Sequence, residues 1–263
     1  MRTRILAHLS DLHLGLSPAV ERGAARLVDE LCASAVDHVV VTGDITHGGR
    51  VSELERFRRL FAPLEAEGRL TVVPGNHDRL GDDVGGALMP EGVRVAVEAP
   101  PGLYMVRVDS TGPHNRSLLA AHGDVCAEVL DRIDVALEAA PTDRLVVLLL
   151  HHHPLPLPEE SFVERFSNLV GWPYTLELTR GRELIERVRG RCDLILHGHR
   201  HVPREITVPD SQRPLRLFNA GCSSALGRAR LFSHHEGVLL GAPFWMPAGG
   251  ARPELAGAAE ASP

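Results

Sequence analysis

The chain has 263 residues, a formal net charge of −6 and a hydrophobic fraction of 44%, as expected of a globular protein with a sizeable core. The acidic balance argues against nucleic acid or an anionic membrane surface as the main partner. No apolar run is long enough to span a bilayer, and the first residues lead directly into a predicted strand rather than a signal peptide. The four cysteines are scattered and form no C-x-x-C pair, which indicates reduced thiols, and we expect a cytoplasmic protein.

Apolar runs and helical periodicity predict strands that alternate with helices. The first third is predicted to hold strands at 5–9, 37–42 and 70–73, with helices at 18–35 and 51–65. The middle is predicted to hold strands at 93–98, 103–109 and 145–150 and a helix at 124–139. The last third is predicted to hold a helix at 176–189, a strand at 193–196, a hairpin at 206–208 and 215–218, and one or two closing strands within 231–245. Continuously apolar strands indicate a sheet covered on both faces, so we expect one α/β domain over 1–246 and a disordered tail at 247–263.

Residue types that bind metals follow directly after the predicted strands. The segments are Ser10-Asp11-Leu12-His13, Gly43-Asp44, Gly75-Asn76-His77-Asp78, His151-His152-His153-Pro154 and Gly198-His199-Arg200-His201. We therefore predict a scaffold that brings these strand ends to one point. Two carboxylates, one carboxamide and several imidazoles, without a thiolate, suit Mn, Fe, Co or Zn better than Ca or Mg.

The spacing of these residues suggests how two metal ions could be shared. Asp11 and His13 are two positions apart, so in an extended segment both side chains would face one ion, and His199 and His201 share that spacing. Asp44 stands alone at its strand end and is the candidate bridge, because a carboxylate can bridge two ions whereas a neutral imidazole cannot. Two divalent ions and two aspartates leave a positive formal charge, which favours a phosphodiester anion as substrate.

Five motifs in this order, D-x-H, G-D, G-N-H-D, H-H-x-P and G-H-x-H, resemble those of the calcineurin-like metallophosphoesterase superfamily, and the resemblance runs from about Ile5 to Ser224. Together with the stretch Asn219-Ala220-Gly221-Cys222-Ser223, they look most like the bacterial class III cyclic nucleotide phosphodiesterase branch. The resemblance implies a four-layer α/β/β/α sandwich, with two mixed β-sheets flanked by helices, and two divalent transition-metal ions (Mn, Fe, Zn or Co) as cofactors.

The resemblance also implies roles for the residues that match its motifs. One ion would be held by Asp11, His13 and His201, the other by Asn76, His151 and His199, with Asp44 bridging the two. His77 would contact the phosphate and help the leaving oxygen depart, while a hydroxide bridging the ions attacks phosphorus in line. The implied activity is hydrolysis of a small phosphodiester, with a 3′,5′-cyclic nucleotide as first candidate. The alternatives are a related hydrolase of glycerophosphodiesters, nucleotide pyrophosphates, phosphomonoesters or nucleic acid, and a non-catalytic metal-binding scaffold.

Several residues near the motifs have more than one possible role. Among the three consecutive histidines we choose His151 as ligand, because strand alternation places His152 on the opposite face, and His153 is left to line the pocket. We hypothesise that His47, three residues after Asp44, approaches a metal or the substrate, against the alternative of a surface loop. Arg200 either meets a phosphate oxygen or faces solvent. The aromatic segment 154–176 is interpreted as a lid over the substrate, a packed segment or a homodimer contact.

Overall fold

The computed structural model describes residues 2–90, 92–117, 120–155 and 178–248. The aromatic segment is described only up to residue 155, and residues 249–263 of the predicted tail also lie outside these ranges. Within the described ranges, no helix combines the length and the apolar character needed to cross a bilayer.

Twelve strands and five α-helices form the described part of the chain. The strands are β1 (Arg4–Leu9), β2 (His38–Thr42), β3 (Leu70–Val73), β4 (Val95–Glu98), β5 (Leu103–Val108), β6 (Leu145–Leu149), β7 (Leu194–His197), β8 (Arg204–Val208), β9 (Leu215–Asn219), β10 (Arg228–His235), β11 (Val238–Leu239) and β12 (Phe244–Pro247). The helices are α1 (Pro18–Ala33), α2 (Val51–Ala66), α3 (Ala127–Glu138), α4 (Gly181–Val188) and α5 (Ser223–Leu226).

The strands make two mixed sheets of six strands each. The first has the order β11-β10-β1-β2-β3, with β12 also paired to β10, and the second has the order β4-β5-β6-β7-β9-β8. In the first sheet β1, β2 and β3 are parallel, and β10 runs antiparallel to β1. In the second sheet β5, β6, β7 and β9 are parallel, with β4 and β8 antiparallel at the two edges. Each sheet thus has a block of parallel strands whose carboxyl ends share one edge.

Side-chain alternation along the strands sorts the core into three layers. In β2, Val39 and Val41 pack under helices α1 and α2, whereas Val40 faces the other sheet. In β6, Val147 shares the layer between the sheets, whereas Leu148 packs under helices α3 and α4. The order is therefore helix, sheet, sheet, helix, which confirms the predicted sandwich. Both sheets are covered on two faces, and this explains why their central strands read as continuous apolar runs.

Most predicted elements are present, with differences at their ends. Helix α1 begins where expected, because Ser17 accepts a hydrogen bond from the Val20 N–H at 3.3 Å and Pro18 occupies the first turn. The predicted hairpin is the antiparallel pair β8 and β9. The closing region differs from the prediction of one or two strands, since it holds β10, β11 and β12. The turn at 236–237 and the break at 240–243 divide an apolar stretch that sequence reading left continuous.

Candidate metal centre

The predicted ligand residues meet at the shared edge of the two sheets. Asp11 and His13 follow β1, Asp44 follows β2 and Asn76 follows β3. From the second sheet, His151 comes after β6, and His199 and His201 come after β7. Because these strands are parallel neighbours, their carboxyl ends bring all seven side chains into two adjoining donor sets.

The first donor set consists of Asp11, His13, Asp44 and His201. One ligand atom from each residue lies within 4.8 Å of the others. The Nε2 atoms of His13 and His201 are 3.0 Å apart, and His201 Nε2 lies 3.3 Å from Asp11 Oδ1. Two nitrogens bonded to one ion at roughly 2.0–2.1 Å would be about 3 Å apart, so this spacing fits a shared cation.

The second donor set consists of Asn76, His151 and His199. Asn76 Oδ1 is 3.1 Å from His151 Nε2 and 3.0 Å from His199 Nδ1. The other ring nitrogen of His151 donates to the Thr42 carbonyl at 2.8 Å, which leaves Nε2 facing the set. A histidine that ligates a metal commonly has its second nitrogen held in this way.

Asp44, a member of the first set, lies next to the second set and is buried, at 1% exposure. Its Oδ2 atom is 3.8 Å from His13 Nε2 in the first set and 3.4 Å from His151 Nε2 in the second. Its Oδ1 atom accepts the backbone N–H of His77 at 2.8 Å, which fixes the carboxylate. One oxygen therefore faces both sets.

Burial and charge set the protonation of these groups in the metal-free chain. Burial alone would raise the pKa of Asp44, but the adjacent His151 holds it well below its usual range. Burial alone would lower the pKa of His151, but the Asp44 carboxylate outweighs burial and raises it to about 9. The His13 pKa is lowered by burial to about 4. Asp44 is thus ionised beside a proton on His151, and a bound cation would replace that proton.

The backbone around the sets is strained. Eight described residues other than glycine have positive φ, and five of them belong to the donor sets: Asp11, His13, Asp44, His199 and His201. Such conformations cost free energy and concentrate at functional sites. The extended geometry assumed for Asp11 and His13 is therefore wrong, although both reach the same set. His199 and His201 do not point to one ion either, because they join different sets.

Two glycines make room for this arrangement. A Cβ atom at Gly198 would lie 1.8 Å from Ser10 Oγ and 2.4 Å from Asp11 Oδ2. A Cβ atom at Gly75 would lie 2.3 Å from both the N and Oδ1 atoms of Asp44. The absence of a side chain at these two positions lets the loops close around the aspartates. These contacts, together with the mixed donor chemistry, show that the residues fit divalent metal ions.

His77 lies beside the donor sets. Its Nδ1–H donates to the His47 carbonyl at 2.7 Å, and its ring centroid is 4.7 Å from that of His13. His47 has its ring centroid 5.5 Å from His77, and its Nδ1 atom is buried without a hydrogen-bond partner. The surface-loop alternative for His47 is therefore disfavoured, because ligand atoms of His13, His47 and His77 lie within 4.8 Å of one another.

The consecutive histidines differ in their partners. Strand β6 ends at Leu149, so the alternation used to separate His151 from His152 does not extend to them. Both ring nitrogens of His152 are already occupied, at 2.9 Å by Ser110 Oγ and at 3.0 Å by the Ala121 carbonyl. His153 stacks on His199 with 5.6 Å between ring centroids, and both of its nitrogens are buried without partners.

Two further residues support the loops of the centre. Asp78 is fully buried and accepts N–H groups from Gly75 at 2.9 Å and Thr46 at 2.8 Å, so it orients the loop. Ser110, which sequence reading missed, accepts the backbone N–H groups of His151 and His152, each at 3.3 Å. The same signal could have found it, since Ser110 also follows directly after a predicted strand.

Comparison with known proteins places this site in a family. The family described as calcineurin-like phosphoesterase matches residues 5–203. The chain is 30% identical over 233 residues to the 3′,5′-cyclic adenosine monophosphate phosphodiesterase CpdA of Pseudomonas aeruginosa, over 81% of this chain and 74% of that protein. It is 27% identical over 223 residues to the glycerophosphodiester phosphodiesterase GpdQ of Enterobacter lignolyticus (strain SCF1), over 68% of this chain and 74% of that protein. Both relatives support the resemblance to the bacterial class III branch.

Solved structures agree on the fold. A dimetal phosphatase from Danio rerio superposes with a TM-score of 0.63 at 12% identity, over 93% of this chain and 99% of that one. A purple acid phosphatase from yellow lupin superposes with a TM-score of 0.64 at 13% identity, over 94% of this chain and 52% of that one. The family match, the relatives and the fold lead to one conclusion: the chain belongs to the calcineurin-like phosphoesterase family and is a metal-dependent phosphoric ester hydrolase.

Proposed function

We propose that the protein hydrolyses a small phosphodiester at a centre of two metal ions, and that a 3′,5′-cyclic nucleotide is the first substrate to test. The observation that carries this proposal is the position of Asp44, whose Oδ2 atom faces His13 at 3.8 Å and His151 at 3.4 Å. A carboxylate oxygen shared by two donor sets is what a bridging ligand requires.

In this proposal each donor set holds one divalent ion. Asp11, His13 and His201 hold the first, Asn76, His151 and His199 hold the second, and Asp44 bridges them. When bound, the two ions would supply a water molecule of lowered pKa and positive charge for the phosphate oxygens. The surrounding chain keeps the ligands in place, because the His199 N–H donates to both Asp11 oxygens at 3.1 Å and Thr42 holds His151.

His77 is the proposed catalytic residue that does not bind metal. Its Nδ1–H is held by a carbonyl, which can only accept, so its Nε2 atom is the nitrogen available to substrate. A proton on Nε2 would be donated to the leaving oxygen as the P–O bond breaks, and the His47 carbonyl would stabilise the imidazolium that provides it.

We also propose that His47 contacts the substrate phosphate next to His77. The support is its buried, unpartnered Nδ1 atom and its stacking on the His77 ring. His47→Ala should raise KM several-fold and leave the metal content unchanged, as read by elemental analysis. Unchanged KM, kcat and metal content would remove His47 from the site.

The diester preference rests on the relatives, since the names of both describe phosphodiesterases. The test compares initial rates of the Mn²⁺-loaded protein on bis(p-nitrophenyl) phosphate, p-nitrophenyl phosphate, 3′,5′-cyclic AMP and a glycerophosphodiester. We expect a higher kcat/KM for the diesters than for p-nitrophenyl phosphate, and the highest value for 3′,5′-cyclic AMP. A higher kcat/KM for the glycerophosphodiester would select the second candidate, and a preference for p-nitrophenyl phosphate would overturn the diesterase assignment.

A further inference from the structure

A second group of charged side chains lies between the two sheets, at the edge formed by β9, β10 and β12. Alternation along β10 puts Ala229 and Leu231 in the core under α1 and α2, and Phe232 in the layer between the sheets. Arg228 and Arg230 share the Phe232 face of the strand. The apolar layer between the sheets therefore becomes cationic at this edge.

Aromatic rings hold the guanidinium groups in place. The Arg228 and Arg230 guanidiniums lie 4.1 and 4.5 Å from the centroid of the Trp245 ring. Arg230 and Arg216 each lie 5.0 Å from the centroid of the Phe218 ring. Stacking of this kind fixes long arginine side chains that would otherwise lose conformational entropy on binding a ligand.

The positive charge at this edge exceeds the negative charge. Glu205 is shared by two arginines, with Arg216 at 2.6 Å and Arg230 at 3.7 Å. Within the described ranges, no carboxylate pairs with Arg228. Among the residues that the structure describes, three guanidiniums thus share one carboxylate, in a protein whose overall charge is −6.

Part of this surplus charge is removed from water. Arg230 is 9% exposed, and the Nε atoms of Arg228 and Arg230 are buried without hydrogen-bond partners. Burial also lowers the pKa of Arg230, as expected for a cation without full compensation. Buried charge of one sign is unfavourable unless an opposite charge accompanies it, so this edge has the chemistry of an anion site.

We propose that Arg216, Arg228 and Arg230 bind a phosphate-type anion at this edge, separately from the metal centre. A surplus of two positive charges matches a phosphate dianion better than a single carboxylate. Planar guanidiniums also present paired N–H donors at the spacing of phosphate oxygens. Arg228 and Arg230 lie on β10, a strand that contributes none of the residues of the two donor sets.

The fluorescence of Trp245 offers a local measurement, because two guanidiniums stack on its ring. Trp172 is the other tryptophan in the sequence, so a Trp172→Phe background isolates the signal. Inorganic phosphate should change the Trp245 emission saturably, with the same Kd in metal-loaded protein and in protein treated with a chelator. A response that is lost with the metals would assign the phosphate to the metal centre and overturn the second site.

Three variants test the direction in which the phosphate Kd should change. Arg228→Gln, which breaks no ion pair of the described chain, should raise the phosphate Kd about tenfold. Glu205→Gln should lower it several-fold, because it removes the competing carboxylate. The matched control is Arg59→Gln, a change on the exposed face of α2 that should leave Kd unchanged. Equal Kd values in all three variants, or no saturation below about 10 mM, would mean an adventitious ion only and reject the site.

Discussion

The two ends of the parallel strands carry similar residues in different states. At the amino ends, Asp37 accepts the Ile5 N–H at 2.8 Å and pairs with Arg4, while Asp193 accepts the Val146 N–H at 2.7 Å and pairs with Arg213 at 2.6 Å. Each of these carboxylates has a cationic partner and a backbone donor, so its charge is compensated by the protein itself.

At the carboxyl ends the partners of Asp11 and Asp44 are imidazoles and backbone N–H groups. Nitrogen faces nitrogen between His13 and His201 at 3.0 Å, and the Asp44 carboxylate faces only imidazoles across the gap. The difference teaches that the same residue types build a structural end and a reactive end, and that incomplete pairing together with backbone strain marks the reactive one. Changes at the carboxyl ends should cost metal and activity, whereas changes at the amino ends should cost stability.

The largest effect is expected for Asp44→Asn. The amide removes the charge shared by both donor sets, so the metal content should fall at both positions and kcat should drop by at least about 10⁴. Elemental analysis and turnover measure the two quantities. Asp29→Asn, an exposed change on α1, is the matched control. If one position kept its full metal content, Asp44 would not be the bridge.

His77→Ala should separate chemistry from metal binding at the same edge. The variant should keep both metal positions filled while kcat falls by about 10²–10⁴, because the leaving oxygen loses its proton donor. His235→Ala, a partly exposed histidine on β10, should leave turnover unchanged. Loss of metal from His77→Ala would instead place His77 among the ligands.

Asp193→Asn tests the amino ends. It weakens the charged hydrogen bond to the Val146 N–H and the pair with Arg213, so the free energy of unfolding should fall by about 1–3 kcal/mol. Denaturant titration at neutral pH measures this change. The metal content and kcat should stay at the wild-type values. A loss of metal would contradict the expectation that changes at the amino ends affect only stability.

The smallest effect concerns acid sensitivity at the amino ends. His38 Nε2–H donates to Thr71 Oγ1 at 2.8 Å, since the Thr71 hydroxyl itself donates to Glu98, and burial lowers the pKa of His38 to about 4. Between pH 6.5 and pH 4, His38 is therefore protonated in the unfolded chain but neutral in the folded protein. The contribution of His38 to the free energy of unfolding is present above pH 6.5 and is lost as the pH falls toward 4.

The matched variant for this effect is His38→Gln, which keeps a hydrogen-bonding group and cannot ionise. Between pH 7 and pH 5, metal-depleted His38→Gln should lose roughly 1–2 kcal/mol less unfolding free energy than the wild type. Parallel losses in the two proteins would show that other buried histidines control the acid response.

Most of the fold and the positions of the candidate ligands could be predicted because both depend on local signals. Each strand is a short apolar run, and each ligand follows its strand directly, so Asp44 and His151 could be found without knowing which strands are neighbours. The role of each residue stays a prediction. What failed was the local geometry, since an extended Asp11 and His13 could not be distinguished from a left-handed backbone by spacing alone.

The features that sequence reading missed depend on contacts between distant segments. The cationic edge joins β9, β10 and β12. No pattern near Arg228 in the sequence predicts Trp245 as its stacking partner. Likewise, Ser110 acts through backbone groups of residues some forty positions away. Pairings of this kind are decided by sheet topology, which periodicity does not encode.

The left-handed backbone at five residues of the donor sets has a consequence for attempts to improve this protein in the laboratory. A laboratory selection for heat resistance in a medium that removes cations would favour substitutions that lower this conformational free energy. Such a selection would not detect the loss of turnover. Asp11, His13, Asp44, His199 and His201 would then be the positions at which glycine or asparagine accumulates first. Retaining the cations during such a screen would reverse the pressure and keep the hydrolase intact.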